Sequence, residues 1–188
     1  MKNGVIGEQR FFIGRKQYMT NWDDDLYTCP ICGSTECVPA GGSSKSKILL
    51  IGEYPGKDEI NTGKPFSGAT GTILKNELGR LGIDLSRLRI VNMWLHPPNK
   101  NEKCFEYGIQ QVIKEAKGKR AILLIGSDTV KYFTGMKVGQ VTGLQVHSDL
   151  LSAPIIFAMV QPAIAFHGTC GEVKLSLQKF ADKVEGLL

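Results

Sequence analysis

With 188 residues, 42% of them hydrophobic and 22% charged, the chain can bury one sizeable core, and two full domains would be cramped. Its formal charge of +5 tilts mildly toward a polyanionic partner. No apolar run approaches the roughly 18 residues of a membrane span, and the opening MKNGVIGEQRFFIGRKQY interleaves charges where a secretory signal needs an unbroken apolar stretch, so a soluble, cytoplasmic monomer is expected.

Residues 1–47 read as an N-terminal arm. It mixes aromatic and basic residues (Arg10, Phe11, Phe12, Arg15, Lys16, Tyr18, Trp22), then runs through Asp23, Asp24 and Asp25 into the cysteine-rich stretch YTCPICGSTECVPA. Cys29, Cys32 and Cys37 crowd there, while Cys104 and Cys170 stand alone; in a cytoplasmic chain this is not a disulfide framework. After the flexible lead-in PAGGSSKSK the pattern becomes regular. The spacing predicts a strand over 48–51, a helix over 69–81 stopped by Gly82, a strand over 89–94 and a helix over 104–117. It continues with a strand over 121–125, a short helix over 128–133 capped by Ser127 or Asp128, a strand over 155–160 and a last helix over 171–185. Continuous aliphatic strands alternating with helices imply an α/β fold, a three-layer α/β/α sandwich around a mainly parallel four-stranded sheet. Residues 48–188 form its core, and 1–188 one domain. Ligands in such sheets bind beyond the carboxyl ends of the strands, so the stretches GEYPG, NMWLHPPN, GSDT and QPAIAFHG are expected to converge on one crevice.

Strand, glycines and helix also build phosphate loops. The stretch GEYPGKDEINTGKPFSGATG nevertheless lacks both the G-x-x-x-x-G-K-[ST] spacing and a G-x-G-x-x-G set directly on a helix start, and no nucleotide cofactor is expected. Taken with VNMW a strand later and VQPA after the last strand, the block instead resembles the uracil-DNA glycosylase superfamily. The match is best to its iron–sulfur (family 4/5-like) branch, whose first motif is similar to G-E-A-P-G followed by G-[RK]-P-F-x-G. The resemblance runs from about Cys29 to Phe166.

That resemblance implies hydrolysis of an N-glycosidic bond in DNA, with the target base flipped into a pocket. Glu53 would orient the attacking water and stabilise the sugar cation; the alternative is a strand-end acid capping backbone amides. Phe66 would stack the base, Asn92 would read its edge, and Gly52, Tyr54 and Gly56 would complete the base-binding loop. Where the family usually has His-Pro, this chain has Gln161-Pro162. A glutamine amide still donates a hydrogen bond to the leaving base but cannot carry charge. Gly56 falls where the best-known uracil enzymes hold a tyrosine that blocks 5-substituted bases. The missing histidine and the open gate together point to a target other than plain uracil, such as a modified pyrimidine in foreign or phage DNA.

The iron–sulfur branch also implies four cysteine ligands. Cys29, Cys32 and Cys104 match three, and His96 stands where another is expected shortly after Asn92, so His96 or Cys37 completes the set. CPICG is equally a zinc-knuckle phrase, which leaves a 4Fe-4S iron–sulfur cluster, structural zinc or free thiols open. DNA contact is expected from Lys57, Lys64 and Lys100, with Ile164 or Phe166 as the apolar wedge and His167 facing the DNA. No lysine is placed as a Schiff-base nucleophile, so the expected enzyme is monofunctional and leaves an abasic site. The rivals are a catalytically inactive DNA-binding module of the same fold and a nucleotide hydrolase using the glycine-rich loop.

Overall fold

The computed structural model describes residues 28–168 and 170–188. The residues read as an aromatic and basic arm, Arg10 to Asp25, lie outside the described residues, as do the side chains of Phe166 and His167. In chain order the elements are β1 (Gly41–Gly42), β2 (Ile48–Gly52), α1 (Lys57–Thr62), α2 (Ala69–Arg80), β3 (Arg89–Asn92), α3 (Glu102–Ala116), β4 (Ala121–Ile125), α4 (Ser127–Thr134), α5 (Val138–Val141), β5 (Leu144–Gln145), β6 (Ile155–Met159) and α6 (Cys170–Val184).

The strands form one sheet in the order β1-β3-β2-β4-β6-β5. Its parallel interior, β3-β2-β4-β6, consists of the four strands read from the sequence. The two outer strands are antiparallel and two residues long. They escaped the sequence reading because two residues carry no period, and Gly41–Gly42 reads as linker.

Alternation along the interior strands sorts their side chains onto two faces. Ile48 and Leu50 of β2 join Leu74 and Leu78 of α2 and Leu177 and Phe180 of α6 in one cluster. Leu49 and Ile51 join Val112 of α3 and Val130 and Phe133 of α4 in the other. Helices therefore cover both faces, giving the expected three layers. Among the described residues, no helix is long and apolar enough to cross a membrane.

Near one edge the sheet carries a part-buried ion pair. Arg89 donates from Nε and Nη2 to the two carboxylate oxygens of Glu115 at 2.8 and 2.7 Å, and from Nη1 to the carbonyls of Gly41 and Gly42. The guanidinium thus ties the end of α3 to β1. These hydrogen bonds hold the Glu115 carboxyl below the ordinary glutamate value, so its stabilisation is complete above that value and is lost as the pH falls through the lowered one. Glu115→Ala leaves a guanidinium whose side chain is only 7% exposed without its carboxylate and is expected to cost about 2 kcal/mol at neutral pH, measured by urea denaturation, with the deficit vanishing in acid.

Candidate active site and metal centre

The carboxyl ends of β2, β3 and β6 open onto one small cavity lined by Glu53, Tyr54, Gly56, Glu59, Phe66, Thr70, Asn92 and Gln161. At about 140 Å³ it lies below the usual range for drug-sized ligands and suits a single ring rather than a nucleotide. The β2–β3 pairing continues past the strands and sets its floor: Met93 N–H donates to Gly52 O and Trp94 N–H to Glu53 O, each at 2.9 Å. Gly52 must lack a side chain here, because a Cβ would meet Asn92 Oδ1 and would stand 2.9 Å from two Phe66 ring carbons. Asn92, buried at the end of β3, and the Phe66 ring therefore meet beside Gly52, and both line the cavity.

Phe66 is the only non-glycine residue with positive φ among those described, at 55°, a conformation an L-residue adopts only where surrounding packing holds it. The packing is supplied by α2. Gly71 faces the Phe66 backbone so closely that a Cβ there would collide with the Phe66 carbonyl.

Glu53 is half-buried and its Oε1 accepts from the Asp128 amide at 2.8 Å. The carboxylate therefore caps α4, whose N-cap residue, Gly126, makes no side-chain cap; neither Ser127 nor Asp128 does so, contrary to the sequence expectation. Gly126, at φ 101°, permits this approach, since a Cβ would strike the Glu53 carboxylate. Burial pushes the Glu53 carboxyl above the ordinary glutamate value, the Asp128 and Ser127 amides pull against that rise, and the Asp128 charge adds to it. Capping and lining the cavity are combined in one side chain, so the GSDT stretch joins the other loops through its backbone.

Gln161 follows β6, and its Oε1 is buried without a hydrogen-bond partner among the described residues. Glu59 and Thr70 line the cavity but escaped the sequence reading. Glu59 lies in the first turn of α1, and KDEINT has a single apolar residue, Ile60, hence no helical period. The available signal was an acid three residues past the capping Gly56. Glu59 Oε1 accepts from Gly68 N–H at 3.0 Å, and its Oε2 would stand 2.8 Å from a Cβ on Gly56, so a carboxylate borders the gate at Gly56.

Of the residues read as DNA contacts, Lys57, Lys64 and Lys100 are exposed and none lines the cavity. Ile164 lies in the short 3-10 helix Pro162–His167 and packs partly against the core.

A second group gathers beside α3. The ligand atoms of Cys29, Cys32, His96 and Cys104 all lie within 4.8 Å of one another; three thiols and an imidazole at such spacing suit a metal ion. Cys29 and Cys32 sit on a knuckle closed by Cys29 N–H to Ser34 O (2.8 Å) and Gly33 N–H to Cys29 O (2.9 Å), with Gly33 at φ 75°. Cys37 stands outside the group; burial first, then neighbouring thiols, push its own thiol up to about 12. Cys170 opens α6.

A profile of the Uracil DNA glycosylase superfamily matches residues 39–182. The chain is 32% identical over 123 residues to the type-4 uracil-DNA glycosylase of Archaeoglobus fulgidus, covering 57% of this chain and 61% of that protein. To the type-4 enzyme of Pyrobaculum aerophilum it is 34% identical over 118 residues, covering 56% and 60%. The chain thus spans about three fifths of the length of these two relatives. Against the Thermotoga maritima enzyme, identity is 23% over 187 residues, covering 93% and 96%. The profile spans most of the chain and contains the whole cavity, and on that ground this chain belongs to the uracil DNA glycosylase superfamily.

Proposed function

We propose that the chain is a monofunctional DNA glycosylase that hydrolyses the N-glycosidic bond of a flipped uracil or 5-substituted pyrimidine. The observation that carries this reading is the convergence of Glu53, Phe66, Asn92 and Gln161 on a cavity sized for one ring. Phe66 stacks the base and Asn92 hydrogen-bonds its edge. Glu53, fixed by the Asp128 amide, orients water below the sugar and stabilises its developing positive charge. The Gln161 amide donates to the base oxygen as negative charge builds there. The four-ligand group holds a structural metal that fastens the cysteine knuckle to the loop after Asn92. Lys57 and Lys64 contact the DNA backbone.

Two features favour a 5-substituted target over plain uracil. Gly56 leaves the gate without a side chain, and the Glu59 carboxylate beside it is an acceptor for a hydroxyl on the substituent. The test is base release from oligonucleotides carrying uracil, 5-hydroxymethylated or glucosylated pyrimidines, scored as alkali-labile sites. Release of uracil alone would overturn the 5-substituted preference. Absence of release from every substrate, with DNA binding retained, would replace the enzyme by an inactive binding module. The Gln161→His variant is expected to release uracil about tenfold faster, because a charge-assisted donor outperforms a neutral amide toward a developing anion. Single-turnover kinetics at pH 6 and pH 8 would show the gain concentrated at the lower pH, where the imidazole is protonated.

A further inference from the structure

We infer that Cys29, Cys32, His96 and Cys104 are built for one tetrahedral zinc ion and not for the four-iron cluster that the motif resemblance implies. A tetrahedral ion with Zn–S bonds of about 2.3 Å and a Zn–N bond of about 2.0 Å sets its ligand atoms roughly 3.5–3.8 Å apart. A four-iron cluster joins each ligand to a different iron, so its four ligand atoms stand about 6 Å apart, outside a cage that fills the centre. In this chain Cys29 Sγ and Cys104 Sγ are 4.0 Å apart, Cys32 Sγ and His96 Nε2 are 3.5 Å apart, and no pair exceeds 4.8 Å. The group encloses room for one ion.

The surroundings keep it that size. Cys29, His96 and Cys104 are buried, the knuckle is closed by its own backbone hydrogen bonds, and the loop bearing His96 is pinned by Val38 N–H donating to Leu95 O at 2.6 Å. The histidine is also prepared for a metal. Pro97 O, 2.8 Å from His96 Nδ1, can only accept, so Nδ1 carries the proton and the Nε2 lone pair faces the thiols. An imidazole whose outer N–H is held by a carbonyl is how proteins orient a ligating histidine. Asn99 Nδ2 stands 3.9 Å from both Cys32 Sγ and Cys104 Sγ, a donor for two thiolates.

This inference goes beyond the glycosylase reading and stands or falls apart from it, because it is read from metal content and spectra, without activity. The full chain, purified anaerobically from cells supplied with both iron and zinc, is expected to carry about one zinc per chain, no acid-labile sulfide and no visible absorption. After chelation, cobalt(II) is expected to give the intense bands of a tetrahedral site, displaced by zinc. The sulfur-to-cobalt charge-transfer intensity is expected to fall by about one third in Cys32→Ser and to rise by about one third in His96→Cys, as three thiolates become two or four. About four irons with matching sulfide would overturn the inference, and so would a chain that neither retains zinc nor takes up cobalt.

Discussion

Glu53→Gln is expected to lower base release by about a thousandfold or more while leaving the protein folded. Gln keeps an oxygen that accepts the Asp128 amide, so the cap on α4 survives. What disappears is the negative charge opposite the sugar, and interactions aimed at charge that develops in the transition state are the largest single contribution such a site makes. The same carboxylate sets the acid limb of the rate. Because burial raises its pKa, activity is expected to fall at a pH above the ordinary glutamate value as the wild-type group takes up a proton. Stability runs the other way. A carboxyl whose folded-state pKa exceeds its unfolded value binds its proton more tightly when folded, so its contribution is complete below the unfolded pKa and is lost as pH rises through the folded one. Glu53→Gln is therefore expected to melt no lower than the wild type at pH 7, with the difference closing toward pH 4. Thermal melts at both values, run beside single-turnover base release, check the pair. A mutant that is inactive and also several degrees less stable at pH 7 would mean that Glu53 acts through the fold.

How the carboxylate came to be legible, and what was not, follows from the range of each interaction. A chain that runs ILLIG into an acid announces a buried parallel strand and places the acid at its open end, so Glu53, Asn92 and Gln161 could be put on one edge of one sheet from local pattern alone. The four interior strands and the long helices carry their periods within a few residues, and their expected bounds lie within two residues of the observed ones. Short elements carry no period: β1, β5 and α5 are two to four residues long, and the two strands exist because β3 and β6 pair with them. The cap of α4 is misassigned for the same reason. Ser127 and Asp128 are good caps in isolation, but the acceptor came from Glu53, 75 residues earlier, through a contact that only the folded sheet creates. His96 stands where the resemblance implies a cysteine, yet its pairing with Cys32 rests on a contact across 64 residues. Cys37, closer in sequence to the knuckle, falls outside the group.

The second large effect is expected at a residue with no side chain. Gly71→Ala places a methyl group against the Phe66 backbone, where the structure has no space for it. Backbone cannot rotate away as a side chain can, so either α2 withdraws from the sheet, opening the cluster around Leu74 and Leu78, or Phe66 leaves its left-handed conformation. Overpacking of this kind is expected to cost roughly 3 kcal/mol. Since Phe66 is the proposed stacking platform, a shift of about 1 Å is expected to lower kcat/KM on the order of a hundredfold. Gly79, eight residues along the same helix, supplies the contrast. Nothing lies within 4 Å of a Cβ built there, and its helical backbone suits alanine. Gly79→Ala is expected to stabilise the protein by about 0.5–1 kcal/mol through helix propensity and a less flexible unfolded chain, with base release unchanged. Urea denaturation and single-turnover kinetics on the two variants separate the effects. If Gly71→Ala lost stability but kept full activity, Phe66 would not be the surface against which the base is held. If both substitutions behaved alike, the close approach of α2 to Phe66 would not be what shapes the cavity.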